Sequence, residues 1–248
     1  MTPSFDLGGR VALVTGANTG LGQAIAVGLA AAGADIVAVG RSAPTETGEA
    51  VTALGRRFTA VSADLGSTAP IPAIVEQAGP VDILVNNAGI IRRNDSLDFS
   101  EDDWDAVMDT NLKSAFFLSQ AVARTWVAAG RGGKIINICS MLSFQGGIRV
   151  PSYTASKSGL AGLTKLLACE WAGKRINVNG IAPGYFATNN TEALRADETR
   201  NRDILARIPA GRWGDPGDLA GAAVFLASDA AAYVHGTVLP VDGGWLAR

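Results

Sequence analysis

Histidine is almost absent from this 248-residue sequence, in which His235 stands alone. A Ser-His-Asp triad or a multi-histidine metal centre therefore has very little to be built from. Cysteine is nearly as scarce. Cys139 and Cys169 lie far apart and neither belongs to a Cys-x-x-Cys or Cys/His cluster, which argues against a zinc site or a redox dithiol and for two reduced core thiols. Basic runs are missing as well. The 21 basic and 23 acidic residues leave a formal net charge of −2, so neither nucleic acid nor an anionic membrane surface is an expected partner, and a small molecule is. No uninterrupted apolar segment approaches the ~20 residues needed to cross a bilayer. Residues 1–10 carry no apolar stretch of leader length, and the expected location is the cytoplasm.

What is present is enough for one large core: 48% of the residues are hydrophobic, and nothing reads as a linker, so a single domain is expected over residues 1–248. Apolar runs of strand length recur at 11–14, 36–39, 58–61, 83–85, 135–138, 178–181 and 238–241. Between them lie alanine- and leucine-rich segments with helical periodicity, notably 22–32, 101–129, 153–172 and 218–227. Strands alternating with helices imply parallel pairing through right-handed crossovers that cover both faces of the sheet. The expected architecture is a doubly wound α/β fold with seven parallel strands. The charged, weakly periodic stretch from about 185 to 212, which follows Pro183-Gly184 and contains Pro209, reads as a short helical lid.

The first strand runs directly into Gly16-Ala17-Asn18-Thr19-Gly20-Leu21-Gly22 and then a helix. Glycines permit a tight turn and close approach of backbone amides to a pyrophosphate, whose charge is favoured at a helix N-terminus. At the end of the second strand, where a carboxylate would accept hydrogen bonds from an adenosine ribose diol, this sequence has Gly40-Arg41. With no carboxylate to repel a 2′-phosphate and a guanidinium to pair with it, the pattern favours NADP over NAD. Further along, Tyr153 and Lys157 are spaced to share one helical face, and a cation beside a phenol favours the phenolate over a group that ordinarily titrates near pH ~10. Such a tyrosine can act as a general acid or base.

The loop spacing Gly-x-x-x-Gly-x-Gly resembles that of the short-chain dehydrogenase/reductase superfamily, and further motifs fall into register with it. These are Asp64-Leu65 after the third strand, Asn86-Asn87-Ala88-Gly89 after the fourth, Asn111, Ser140 ending the fifth, the Tyr153/Lys157 pair and Pro183-Gly184 after the sixth. The resemblance covers essentially the whole chain. It implies that Tyr153 exchanges the hydroxyl proton, Ser140 hydrogen-bonds the substrate oxygen, Lys157 holds the nicotinamide ribose and depresses the tyrosine pKa, and Asn111 completes a proton relay. Asp64, Leu65, Asn87, Ala88, Gly89, Pro183, Gly184 and Thr188 are expected around the cofactor, with the glycine-loop residues Gly16, Asn18, Thr19, Gly20, Leu21 and Gly22. Thr19 occupies a position where many NADP-using relatives carry a second basic residue.

Four stretches flanking the expected site, at 90–93, 140–151, 182–191 and 208–214, together with the end from Val241 to Arg248, closely resemble the bacterial 2-dehydro-3-deoxy-D-gluconate 5-dehydrogenases, also described as 2-deoxy-D-gluconate 3-dehydrogenases, and more loosely the gluconate 5-dehydrogenases. The implied substrate is a sugar acid. Its carboxylate needs a cation and its hydroxyls need polar groups, for which Arg92, Gln145, Arg149 and Asn190 are candidates, with Arg149 first for the carboxylate. In that group the second-strand end often looks NAD-like, which Gly40-Arg41 does not. Two other readings stay open: a 3-oxoacyl-carrier-protein reductase with the same catalytic residues, and a non-catalytic dinucleotide sensor on the same fold. Resemblance further implies a homotetramer.

Overall fold

A computed structural model describes residues 4–248, the side chain of Asn190 apart. Its chain alternates strand and helix: β1 (Val11–Thr15), α1 (Gly20–Ala31), β2 (Asp35–Gly40), α2 (Thr45–Ala53), β3 (Phe58–Ser62), α3 (Ile71–Ala78), β4 (Ile83–Asn86), α4 (Glu101–Met108), α5 (Ser114–Ala128), β5 (Gly133–Ile138), α6 (Pro151–Trp171), β6 (Ile176–Pro183), α7 (Glu192–Ala196), α8 (Glu198–Arg207), α9 (Ala220–Ala227) and β7 (Val238–Val241). The strands form one seven-stranded parallel sheet in the order β3-β2-β1-β4-β5-β6-β7.

The central strands are buried at nearly every position because both faces are covered. Ala12, Val14, Ile83, Val85, Ile136 and Ile138 pack towards Ile25 and Leu29 of α1 and Leu226 of α9. Their alternates Leu13, Leu84 and Ile135 pack towards Ile74 of α3, Leu118, Val122 and Trp126 of α5, and Leu167 of α6. Period-two alternation thus divides one sheet between two cores. β3, at an edge, leaves Thr59, Ala60 and Ser62 exposed.

Two expectations change. The helix expected over 101–129 is interrupted by a π-helical segment, Asp109–Lys113, between α4 and α5, and Asn111 lies inside it. Periodicity alone does not show a one-residue bulge of this kind, which is common at functional sites. Cys139 is buried, but Cys169 faces solvent. The segment after β6 is closed on itself by a parallel bridge between Phe186 and Gly214, and α7 and α8 lie within that excursion. No helix among the described residues is long and apolar enough to cross a membrane.

Candidate active site

The carboxyl ends of the central strands open onto one cleft of about 1390 Å³. The sheet order reverses beside β1, and ligands of open α/β sheets bind at such a switch point. Two strand ends are tied together there. Thr15 Oγ1, at the end of β1, accepts the Asn87 and Ala88 N–H groups at 3.0 and 2.9 Å, while Asn87 Nδ2 donates to the Thr15 and Gly16 carbonyls at 2.9 and 3.1 Å.

Against this brace the glycine loop is compressed. Gly16 has φ +65°, and a Cβ on Gly22 would lie 2.2 Å from the Gly16 carbonyl oxygen, so neither position tolerates an ordinary side chain without movement. Thr19 caps α1 with its backbone only and no acidic residue occupies the first turn, which leaves the leading N–H groups and the positive end of the helix for an anion. Asn18 Nδ2 donates to Ser42 Oγ at 2.9 Å and so draws the β2 end alongside the loop, where exposed Arg41 lines the cleft. Ser42 escaped the sequence reading, although its place next to Arg41 was a usable signal. The donors and the guanidinium fit a dinucleotide carrying an extra phosphate.

The remaining expected cofactor residues gather on the same walls. Asp64 is exposed, accepts the Gly66 N–H at 2.9 Å and stands at the rim beside buried Leu65. Gly89 backs onto the reacting end, where a Cβ would approach Asn111 Oδ1 to 3.2 Å and Lys157 Nζ to 3.7 Å. Pro183, Gly184 and Thr188 also line the cleft, with the Thr188 side chain 3.7 Å from where a Gly20 Cβ would be.

Pro151 suits the first turn of α6, and Tyr153 and Lys157 follow one turn apart on one face. Lys157 Nζ lies 5.7 Å from the centroid of the Tyr153 ring and donates to the Ile138 carbonyl at 2.6 Å. Its burial draws the ammonium pKa from 10.5 down to about 8. Burial also raises the half-buried Tyr153 phenol; the Ser140 hydroxyl opposes this, the Cys139 thiol adds to it and the Arg93 charge works against it. The ammonium is held beside the ring by a strand carbonyl, and the groups that lower the phenol are Ser140 and Arg93.

Ser140 is nearly buried just past the end of β5. Its Oγ accepts the Leu142 N–H at 3.2 Å as a local cap and also stands beside the Tyr153 hydroxyl. Asn111 is different. Its Oδ1 accepts the Ile90 N–H at 2.8 Å and its Nδ2 donates to the Ile90 carbonyl at 2.9 Å and to Ser156 Oγ at 3.3 Å. The side chain clamps the β4 loop to α6 behind the cleft.

Of the expected substrate residues, Arg92 lines the cleft with its Nε 3.1 Å from Asp103 of α4. Arg149 is exposed there on left-handed backbone (φ 63°). Gln145 Oε1 accepts the Trp245 indole N–H at 3.2 Å. The Asn190 side chain lies outside the described residues. Sequence reading missed Arg93, Tyr185, Arg200, Arg207 and Trp245, all of which line the same cleft. All five lie in stretches that the sequence reading ties to the site, but which side chains of those stretches enter the cleft depends on how the segments meet in space.

Comparison with known proteins agrees with this construction. Residues 10–199 match the family described as short chain dehydrogenase. The 2-dehydro-3-deoxy-D-gluconate 5-dehydrogenase of Escherichia coli is 64% identical over 249 residues, covering 99% of this chain and 98% of that protein. A crystal structure from Agrobacterium tumefaciens with bound NADP, provisionally described as a 2-deoxy-D-gluconate 3-dehydrogenase, is 65% identical over 100% of both chains with a TM-score of 0.95. The gluconate 5-dehydrogenase of Burkholderia cenocepacia, crystallised with NADP and tartrate, is 42% identical over 98% of both chains with a TM-score of 0.92. With sequence, strand order and cleft in agreement from end to end, the chain belongs to the short-chain dehydrogenase family and is an NAD(P)-dependent oxidoreductase of CH–OH groups.

Proposed function

We propose that the protein interconverts a secondary alcohol and a ketone on a sugar acid of the gluconate, 2-dehydro-3-deoxygluconate or 2-deoxygluconate type, with NADP favoured over NAD. The charge of the cleft carries this reading: six arginines and Lys157 line it against only Asp64 and Asp203, although the whole chain is slightly acidic. A cleft of that sign favours a substrate with a carboxylate and a cofactor with an extra phosphate. The names of the relatives support both choices, and Arg41 supports NADP.

When bound, the nicotinamide supplies or accepts the hydride. As a ketone is reduced, negative charge grows on its oxygen; the Ser140 hydroxyl orients that oxygen and Tyr153 gives it a proton. Because burial raises its pKa, the phenol is protonated at neutral pH and ready for this direction. In oxidation Tyr153 takes the proton back. Lys157 holds the nicotinamide ribose, and Asn111 fixes the Ile90 loop beside it. The 185–212 segment acts as a lid. Trp104, Phe117 and Leu166 are exposed apolar side chains on α4, α5 and α6, and support a homotetramer through those helices; the proposed location is the cytoplasm.

Steady-state assays with gluconate, 2-deoxygluconate, keto-gluconates and an acetoacetyl thioester, each with NADP and NAD, test the proposal. Turnover of a sugar acid, faster with NADP, is expected; preference for the thioester, or no turnover of any sugar acid, overturns the substrate assignment. A clear preference for NAD overturns the role of Arg41.

A further inference from the structure

Trp245, in the last turn of the chain, is 4% exposed and contacts two cleft residues from different segments. The Arg207 guanidinium, at the end of α8, stacks on the indole with its Cζ 4.0 Å from the ring centroid. The same indole donates its N–H to Gln145 Oε1 at 3.2 Å. Stacking fixes the plane of the guanidinium fork, and the indole bond fixes which end of the Gln145 amide is engaged, leaving its NH₂ as the free donor. Among the described residues the Arg207 side chain makes no hydrogen bond or ion pair, so its donors are uncommitted. The cluster is rigid from behind: Tyr185 packs on Trp245 at 4.8 Å between centroids, Trp213 packs edge-on against Tyr185 at 5.4 Å, and Met141, adjacent to Ser140, joins the same apolar group.

We propose that Arg207 and the Gln145 amide form the subsite for the substrate carboxylate, with Trp245 as the positioning residue that holds both. The inference rests on the sugar-acid reading above and replaces Arg149 in this role. Arg92 is engaged by Asp103, and Arg149 has no contact among the described residues that orients its fork, whereas Arg207 presents a planar pair of N–H groups of the kind that binds a carboxylate bidentately. Its place on α8 also ties carboxylate binding to the segment that covers the cleft.

The test compares a sugar acid with its uncharged amide, gluconate with gluconamide, at saturating NADP. Arg207→Gln is expected to raise KM for gluconate by about 10- to 100-fold, the scale of a lost charged hydrogen bond, with KM for gluconamide and for NADP close to wild type. Arg207→Lys recovers only part, because an ammonium lacks the fork, and Arg149→Gln has the smaller effect. Trp245→Phe raises KM for gluconate while kcat changes little, and a matching rise for gluconamide would mark a general packing role instead. If the wild type turns over gluconate and Arg207→Gln matches it, or if Arg149→Gln gives the larger rise, the subsite is overturned. If the wild type turns over no sugar acid at all, the substrate reading fails first, before any variant is compared.

Discussion

Tyr153 and Lys157 share a helix face but are buried to different effect. Burial opposes charge on both, so it raises the phenol and lowers the ammonium. Tyr153→Phe keeps the ring and its packing and removes the only group placed to exchange the substrate proton, so kcat is expected to fall by about 10³-fold, the usual scale for a general acid, while NADP binding measured by fluorescence persists. Retained turnover would remove Tyr153 from the chemistry. Lys157 carries a second prediction, one of stability. Its folded pKa of about 8 lies below the ordinary 10.5, so between those values the unfolded chain binds more protons than the folded one. Stability of the cofactor-free protein therefore rises with pH across that window, and the charged buried ammonium is a cost that is fully present below it. The shift corresponds to roughly 3 kcal/mol. Urea unfolding at pH 7.5 and 9.5 should show wild type gaining on Lys157→Met as pH rises; a constant difference between the two would mean that this lysine is not depressed.

At the scale of elements, the glycine loop and α9 make opposite predictions for the same substitution. A Cβ on Gly22 meets the Gly16 carbonyl at 2.2 Å and Asn87 Nδ2 at 2.3 Å, so Gly22→Ala must push the loop off β4, with destabilisation of about 1–3 kcal/mol and weakened NADP binding. Gly221, exposed in α9 with nothing within 4 Å of its added Cβ, should gain about 0.5–1 kcal/mol as alanine through helix propensity. Denaturant melts of the two variants, with a cofactor titration of each, check the pair. The contrast also shows what was legible in the sequence. The central strands could be read from short apolar runs, because a parallel sheet covered on both faces favours them, and the loop could be read because tight backbone approach demands glycine at fixed places. The π-helical turn at Asn111 could not, since a bulge leaves the polar and apolar pattern on either side intact. Nor could the Trp245 cluster, where Gln145, Arg207 and Trp245 meet only after β5, the 185–212 excursion and the C-terminus have folded together.

For the whole molecule, the separation of charge is more informative than its total. A formal net charge of −2 predicts no strong attraction for anions, yet six arginines and Lys157 line the cleft against Asp64 and Asp203, while Asp35, Asp82 and Asp229 are paired away from it with Arg57, Arg131 and Arg10. A concave site lined by one sign of charge focuses its field and raises the local concentration of the opposite ion. Salt shortens the reach of that field from about 30 Å at 0.01 M to about 10 Å at 0.1 M ionic strength. KM for gluconate and for NADP should therefore rise several-fold over that range, on the order of three- to tenfold, while kcat stays nearly constant because the proton exchange at Tyr153 lies inside the cleft. Gluconamide separates field from fold: with the same hydroxyls and no charge, its KM should be insensitive to salt when NADP is saturating. An equal rise for the amide would place the salt effect on the protein's conformation, and the cleft's positive charge would then have no part in selecting an acid.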